Sequence, residues 1–95
     1  MFTGEYLTGE VDLNAIYANM GKNTIKTVQL GQITGGNGLP SAYYTYSIVF
    51  MIKGVSNYGM MIMLSLNNTS VMFTKLVTGG NGSGDWKRTE RTTDA

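Results

Sequence analysis

The side chains able to do chemistry are few, and their types exclude more than they suggest. The sequence contains no histidine and no cysteine. That removes the commonest general base, the commonest metal ligand, every thiolate nucleophile and every disulfide. A hydroxyl nucleophile would then need a lysine or carboxylate beside it, and nothing around Ser41, Ser47, Ser56 or Ser65 marks such a pair. A glycosidase-type mechanism needs two acids converging on one cleft. The six acids are Glu5, Glu10, Asp12, Asp85, Glu90 and Asp94. All but Asp12 and Asp85 fall in segments that read as loose ends, and Asp12 reads as a helix cap. Asp85 with loop carbonyls could offer oxygen ligands, but no Asp-x-Asp spacing supports a hard-cation site. The run Gly79-Gly80-Asn81-Gly82-Ser83-Gly84 leads into Asp85-Trp86. A phosphate-cradling loop would instead lead into Lys-Ser/Thr at the start of a helix. The expectation is a non-enzyme, with no catalytic residue, no metal and no cofactor.

The aromatic residues carry more information. Tyr43-Tyr44-x-Tyr46 opens the strongest strand pattern in the chain. On a strand, Tyr44 and Tyr46 share one face and Tyr43 takes the other. Tyrosines so placed can simply pack a strand start. They can also stack on sugar rings while their hydroxyls hydrogen-bond, or stack on single-stranded bases. The base reading lacks the interleaved Arg and Lys it would need. Trp86, the one tryptophan, follows the glycine-rich loop, with Asp85 before it and Lys87 and Arg88 after it. A large amphipathic ring delivered by a flexible loop closes a core or an interface. Its expected role is to close the core, with Lys87 and Arg88 facing out, so that truncating it unfolds the domain at a cost of about 3–5 kcal/mol. The candidate glycan contacts are Asn37, Tyr43, Tyr44 and Asp85; Asp12, Gly21 and Trp86 are assigned to structure.

The elements that must position these residues follow from periodicity. Residues 1–10 read as an arm or linker. Over 12–20, Leu13, Ile16, Tyr17 and Met20 fall on one face of a short helix. Asp12 is its N-cap and Gly21 its left-handed stop. A helix of about two turns is not stable alone and must pack on something. The period then changes to two. Residues 24–30 are β-rich, 31–40 read as a loop, and strands follow over 43–52, 58–66 and 71–77. These three form an antiparallel meander with short turns, and 86–89 adds a last short strand. The fold class is mainly β, a small antiparallel sheet with one short N-terminal helix. The domain spans 11–89, with 90–95 a polar tail.

The strand over 58–66 is apolar on both faces. Tyr58, Met60, Ile62, Leu64 and Leu66 fall on one, and Met61 and Met63 on the other. Such a strand belongs to a sheet buried on both sides. One small helix covers only one side, so the second side calls for a partner, most simply copies of the same chain. The methionines at 51, 60, 61, 63 and 72 also suit plain gap-filling in a core.

Ninety-five residues make one domain, 42% apolar and only 14% charged, with seven bases against six acids. A net charge of +1 provides no footprint for a nucleic-acid backbone and no polybasic membrane contact. No apolar stretch is long enough to span a bilayer, so no membrane insertion is expected, and the first residues lack a signal-peptide pattern. Ends this loose would suit one module cut from a longer polypeptide.

In this order the motifs resemble the pyocin-knob-like domain of phage tail fibres and related receptor-binding proteins. The matching residues are Asp12-Leu13-Asn14-Ala15-Ile16 with Gly21, then Asn37-Gly38-Leu39-Pro40, two central strands, and Gly84-Asp85-Trp86-Lys87-Arg88. The match covers roughly residues 11–89. It departs where Lys22, not an aromatic residue, follows Gly21. It departs again where Gly82 or Ser83 stands in place of a first tryptophan, and where Lys75 replaces a frequent arginine. The resemblance implies a knob-like, homotrimeric fibre or baseplate module of the virion, made in the bacterial host cytoplasm. Such a module binds bacterial cell-surface polysaccharide and joins other fibre or baseplate segments, and trimerisation would multiply weak sugar contacts. Two other readings remain: a purely structural trimerisation or spacer domain, and a small single-stranded nucleic-acid-binding β-barrel. Near-zero charge counts against the last.

Overall fold

The computed structural model describes residues 2–68 and 70–90. It is mainly β, a six-stranded mixed sheet with one short helix. In chain order the elements are β1 (Phe2–Asp12), α1 (Leu13–Ala18), β2 (Thr24–Asn37), β3 (Ser47–Lys53), β4 (Gly59–Ser65), β5 (Val71–Val77) and β6 (Trp86–Glu90). The strands lie side by side in sequence order. β1 and β2 are parallel, and every other neighbouring pair is antiparallel.

Parallel strands cannot be joined by a hairpin, so β1 and β2 require a crossover. That is the task of α1. Asp12 ends β1 and caps the helix, its Oδ1 accepting from the Ala15 N–H at 3.0 Å. Leu13 and Tyr17 are fully buried, and Ile16 and Met20 pack half-buried against the same core, as their spacing predicts. The exit differs from expectation. The helix ends at Asn19 in right-handed geometry, and the left-handed residue of the connection is Asn23 (φ 58°), not Gly21.

Four further expectations are corrected. The segment expected as an N-terminal arm forms edge strand β1, paired along its length with β2. The segment 31–40, expected as a loop, continues β2 as far as Asn37. Its glycines hide a pairing that only β1 reveals: at Gly36 a side chain would collide with the Val11 carbonyl of the neighbouring strand. The expected all-antiparallel sheet is therefore mixed. Lastly, the strand expected from Tyr43 begins at Ser47, because Tyr43 (φ 63°) and Tyr46 (φ 56°) take left-handed backbone that no strand tolerates.

The meander β3–β4–β5 alternates strictly. Val49, Met51, Met61, Met63, Val71, Phe73 and Val77 are buried on the face that carries α1. The opposite parity is half-buried or exposed throughout. The core therefore lies on one side of the sheet, closed by α1 and the segment between β2 and β3.

Two lysines are buried in that core, and both attach α1 to the sheet. Lys53 Nζ donates to the carbonyls of Tyr17 (3.0 Å), Ala18 (3.4 Å) and Met20 (2.9 Å). These carbonyls lie at and just beyond the end of the helix, and that of Tyr17 also accepts from the Met20 N–H at 3.1 Å. Lys75 Nζ donates to Asn14 Oδ1 at 2.7 Å, nearer the other end of the helix. A six-residue helix could not persist alone; here a cation from β3 and one from β5 hold its two ends. Among the described residues no helix is long and apolar enough to cross a membrane.

Candidate functional site

The residues singled out from the sequence gather where the ends of β1, β2 and β5–β6 meet the start of α1. Trp86 opens β6 opposite Lys75. Its indole N–H donates to the Gly38 carbonyl at 2.8 Å, and its ring stands edge-on to Phe73, centroids 6.5 Å apart. Lys75 Nζ lies 5.4 Å from the indole centroid. Trp86 is half-buried against the core. The loop glycines expected to deliver it do so by close approach. Side chains at Gly38 or Gly82, both left-handed, would collide with Asn14, and one at Gly84 would strike the Leu76 carbonyl.

Tyr43 sits beyond Phe73 on the same side. Its ring is tilted 34° to the Phe73 ring at 6.5 Å, and the Arg88 guanidinium lies 5.2 Å from its centroid. The ring is still 40% exposed. Lys87 is exposed as expected and pairs opposite Thr74, whereas Arg88 pairs opposite Phe73, among the core-side residues. Arg88 is exposed too, with its guanidinium 3.5 Å from the Glu90 carboxylate; standing two residues after Trp86, it shares that residue's face of the strand.

Asn37 ends β2 and is exposed; its amide donates to Asp12 Oδ1 at 3.2 Å. Glu10, Val11, Asp12, Gly36 and Asn37 line an open depression of about 420 Å³. Asp85 is exposed just before Trp86. Tyr44 differs from expectation: it is half-buried against the core, and its carbonyl accepts from Ser47 Oγ at 2.7 Å. Tyr46, expected to share its face, is exposed, and its hydroxyl donates to Gln32 Oε1 at 2.9 Å. Asn37, Tyr43 and Asp85 thus stay at the surface around Trp86, while Tyr44 turns inward.

Lys75 is the one group in this region whose protonation is clearly perturbed. Burial pushes its pKa below the usual 10.5, and the fields of Asp12 and Asp85 partly oppose that shift. A lysine with a lowered pKa can serve as a nucleophile, but this one is 1% exposed and hydrogen-bonded to Asn14. No carbonyl substrate can reach it. The shift instead affects stability. The folded chain releases the Lys75 proton at lower pH than the unfolded chain does. Across that window the unfolded state binds more protons, and stability rises with pH. Tyr17 acts in the opposite sense. Desolvation raises its hydroxyl above the usual 10.0, so its contribution falls once pH exceeds that value. Urea titrations over an alkaline pH series should therefore show stability climbing toward about pH 10 and then turning over. In Lys75→Met the climb should be missing; an unchanged climb would mean that another group carries it.

Among the described residues no three His, Cys, Asp or Glu side chains stand together as metal ligands would. A second depression of about 370 Å³, bounded by Glu5, Ile16, Asn19, Met20, Gly21, Thr24 and Lys26, is open and shallow; Glu5 and Lys26 pair across it at 2.8 Å. Around Trp86 the surface offers amide and carboxylate groups beside the exposed ring of Tyr43. No family model matches the sequence, and no curated protein or solved structure matches it, so the knob-like resemblance rests on the motif residues alone.

Proposed function

We propose that the chain is a non-catalytic receptor-binding module of a phage tail fibre or baseplate, acting in the virion as a homotrimer on bacterial surface glycan. The observation that carries this reading is the exposed ring of Tyr43, held in left-handed backbone and braced by Phe73 and Arg88. A ring fixed in this way loses little conformational freedom on binding, and aromatic rings with polar neighbours suit sugars. Around Trp86, Asn37 and Asp85 add an amide and a carboxylate that can bond sugar hydroxyls. Open, shallow depressions suit weak contacts at an extended polymer, which several copies together make useful.

The test is retention of the protein on an array of bacterial surface polysaccharides, with Tyr43→Ala beside the wild type. We expect retention by the wild type and a loss of about tenfold, or ~1.4 kcal/mol per site, in a variant whose circular dichroism is unchanged. Wild-type protein that no polysaccharide retains would count against the glycan reading. Retention untouched by Tyr43→Ala would remove Tyr43 from the site and favour a spacer domain bearing no ligand at this position.

A further inference from the structure

Among the described residues nothing covers the side of the sheet away from α1, and the composition of its centre is that of an interior. β3, β4 and β5 send only apolar residues and Thr74 to it. In the central row Phe50 pairs with Ile62, and Ile62 with Thr74; in the next, Ile52 pairs with Met60, and Met60 with Leu76. Each is partly or largely exposed, Leu76 at 66%. The only charge among the strand positions of this parity from β2 to β6 is Lys87, on the outermost strand. An apolar centre with a polar margin is the composition of a protein–protein interface.

We infer that this face is covered by the same face of another copy of the chain. Size favours that occupant. Six strands at ~4.8 Å spacing and about six residues at ~3.3 Å rise make a face of roughly 29 by 20 Å, nearly 600 Å² in projection. Side-chain relief makes the accessible area larger. The whole face thus approaches the ~800 Å² that each partner gives to a specific interface, and its apolar centre, the three strands β3–β5, takes up about half of it. Chemistry favours it too. A face with almost no charge has nothing to repel its own image. Two such faces stack at ~10 Å as a β-sandwich, and three can enclose a common axis. The inference does not depend on glycan binding or on the fibre reading.

The test is solution mass by light scattering on a sizing column, at micromolar protein, for the wild type, Ile62→Glu, Leu76→Glu and Val55→Glu. Val55 is an equally exposed apolar residue in the β3–β4 turn, outside the face. We expect a dimer or trimer for the wild type and for Val55→Glu. The two face variants should be monomers, their association weakened at least tenfold. Leu76 is mostly solvent-exposed, so Leu76→Glu keeps the test alive if Ile62→Glu does not fold. A monomeric wild type, or face variants that keep the wild-type mass, would overturn the inference. A monomeric wild type that instead bound phosphatidylcholine vesicles would give the face to lipid. A wild-type dimer would uphold this interface while removing the homotrimer from the proposed function, so the two readings fail separately.

Discussion

Tyr17→Ala should melt roughly 15–30 °C below the wild type, the shift that a loss of about 3–5 kcal/mol produces in a domain of this size. Tyr17 is 0% exposed and is the largest fully buried side chain. Its ring lies under Lys53, whose Nζ is 5.0 Å from the centroid, and its hydroxyl donates to the Asn57 carbonyl at 2.7 Å. Gly59 is bare beneath it; a side chain there would collide with the Tyr17 hydroxyl and the Ile52 carbonyl. Truncation leaves a cavity, unpairs the Asn57 carbonyl and loosens the helix that joins β1 to β2. A domain of about a hundred residues has only ~5–15 kcal/mol in total. Tyr17→Phe is the control: it keeps the ring and loses one hydrogen bond, so about 1–1.5 kcal/mol should go. Equal losses in the two variants would show that the hydroxyl, not the buried ring, holds this site together.

Trp86→Ala should cost about 3 kcal/mol, at the low end of a core aromatic truncation because the ring is half-buried. The loss has three physical parts: the edge-on contact with Phe73, the indole hydrogen bond to Gly38, and the cover over Lys75. The Gly38 bond ties the end of β2 to β6, so the loop carrying Leu39 to Tyr43 should loosen as well. Denaturant unfolding measures the cost. A variant as stable as the wild type that had lost only glycan retention would move Trp86 from the core into the binding surface.

The two variants also separate what periodicity reveals from what it hides. Leu13, Ile16, Tyr17 and Met20 fall at helical spacing, and each packs where that spacing puts it. The meander from Ser47 to Val77 follows its two-residue alternation almost to the residue, because short turns leave antiparallel strands no other register. β1 escaped this reading. A strand that pairs in parallel across a helix takes its register from a partner more than twenty residues away, and its glycines look like linker until that partner is present. Tyr43 and Tyr46 misled for a related reason: their composition suits a strand, yet the chain must turn there to carry Leu39 and Tyr44 back over the core.

The sequence by itself determined the absence of histidine and cysteine chemistry, the β-rich class, the short capped helix and the doubly apolar fourth strand, because each is a matter of residue type or local period. Only the tertiary structure decided that β1 closes one edge of the sheet, that Lys53 and Lys75 are drawn inside to hold the two ends of α1, that Tyr44 packs on the core while Arg88 meets Tyr43, and that the apolar outer side of β3–β5 is left partly exposed among the described residues. Those facts depend on contacts between segments distant in the chain. A local pattern states which side chains need burial, but the material that buries them, or fails to, arrives only when the chain has folded back on itself.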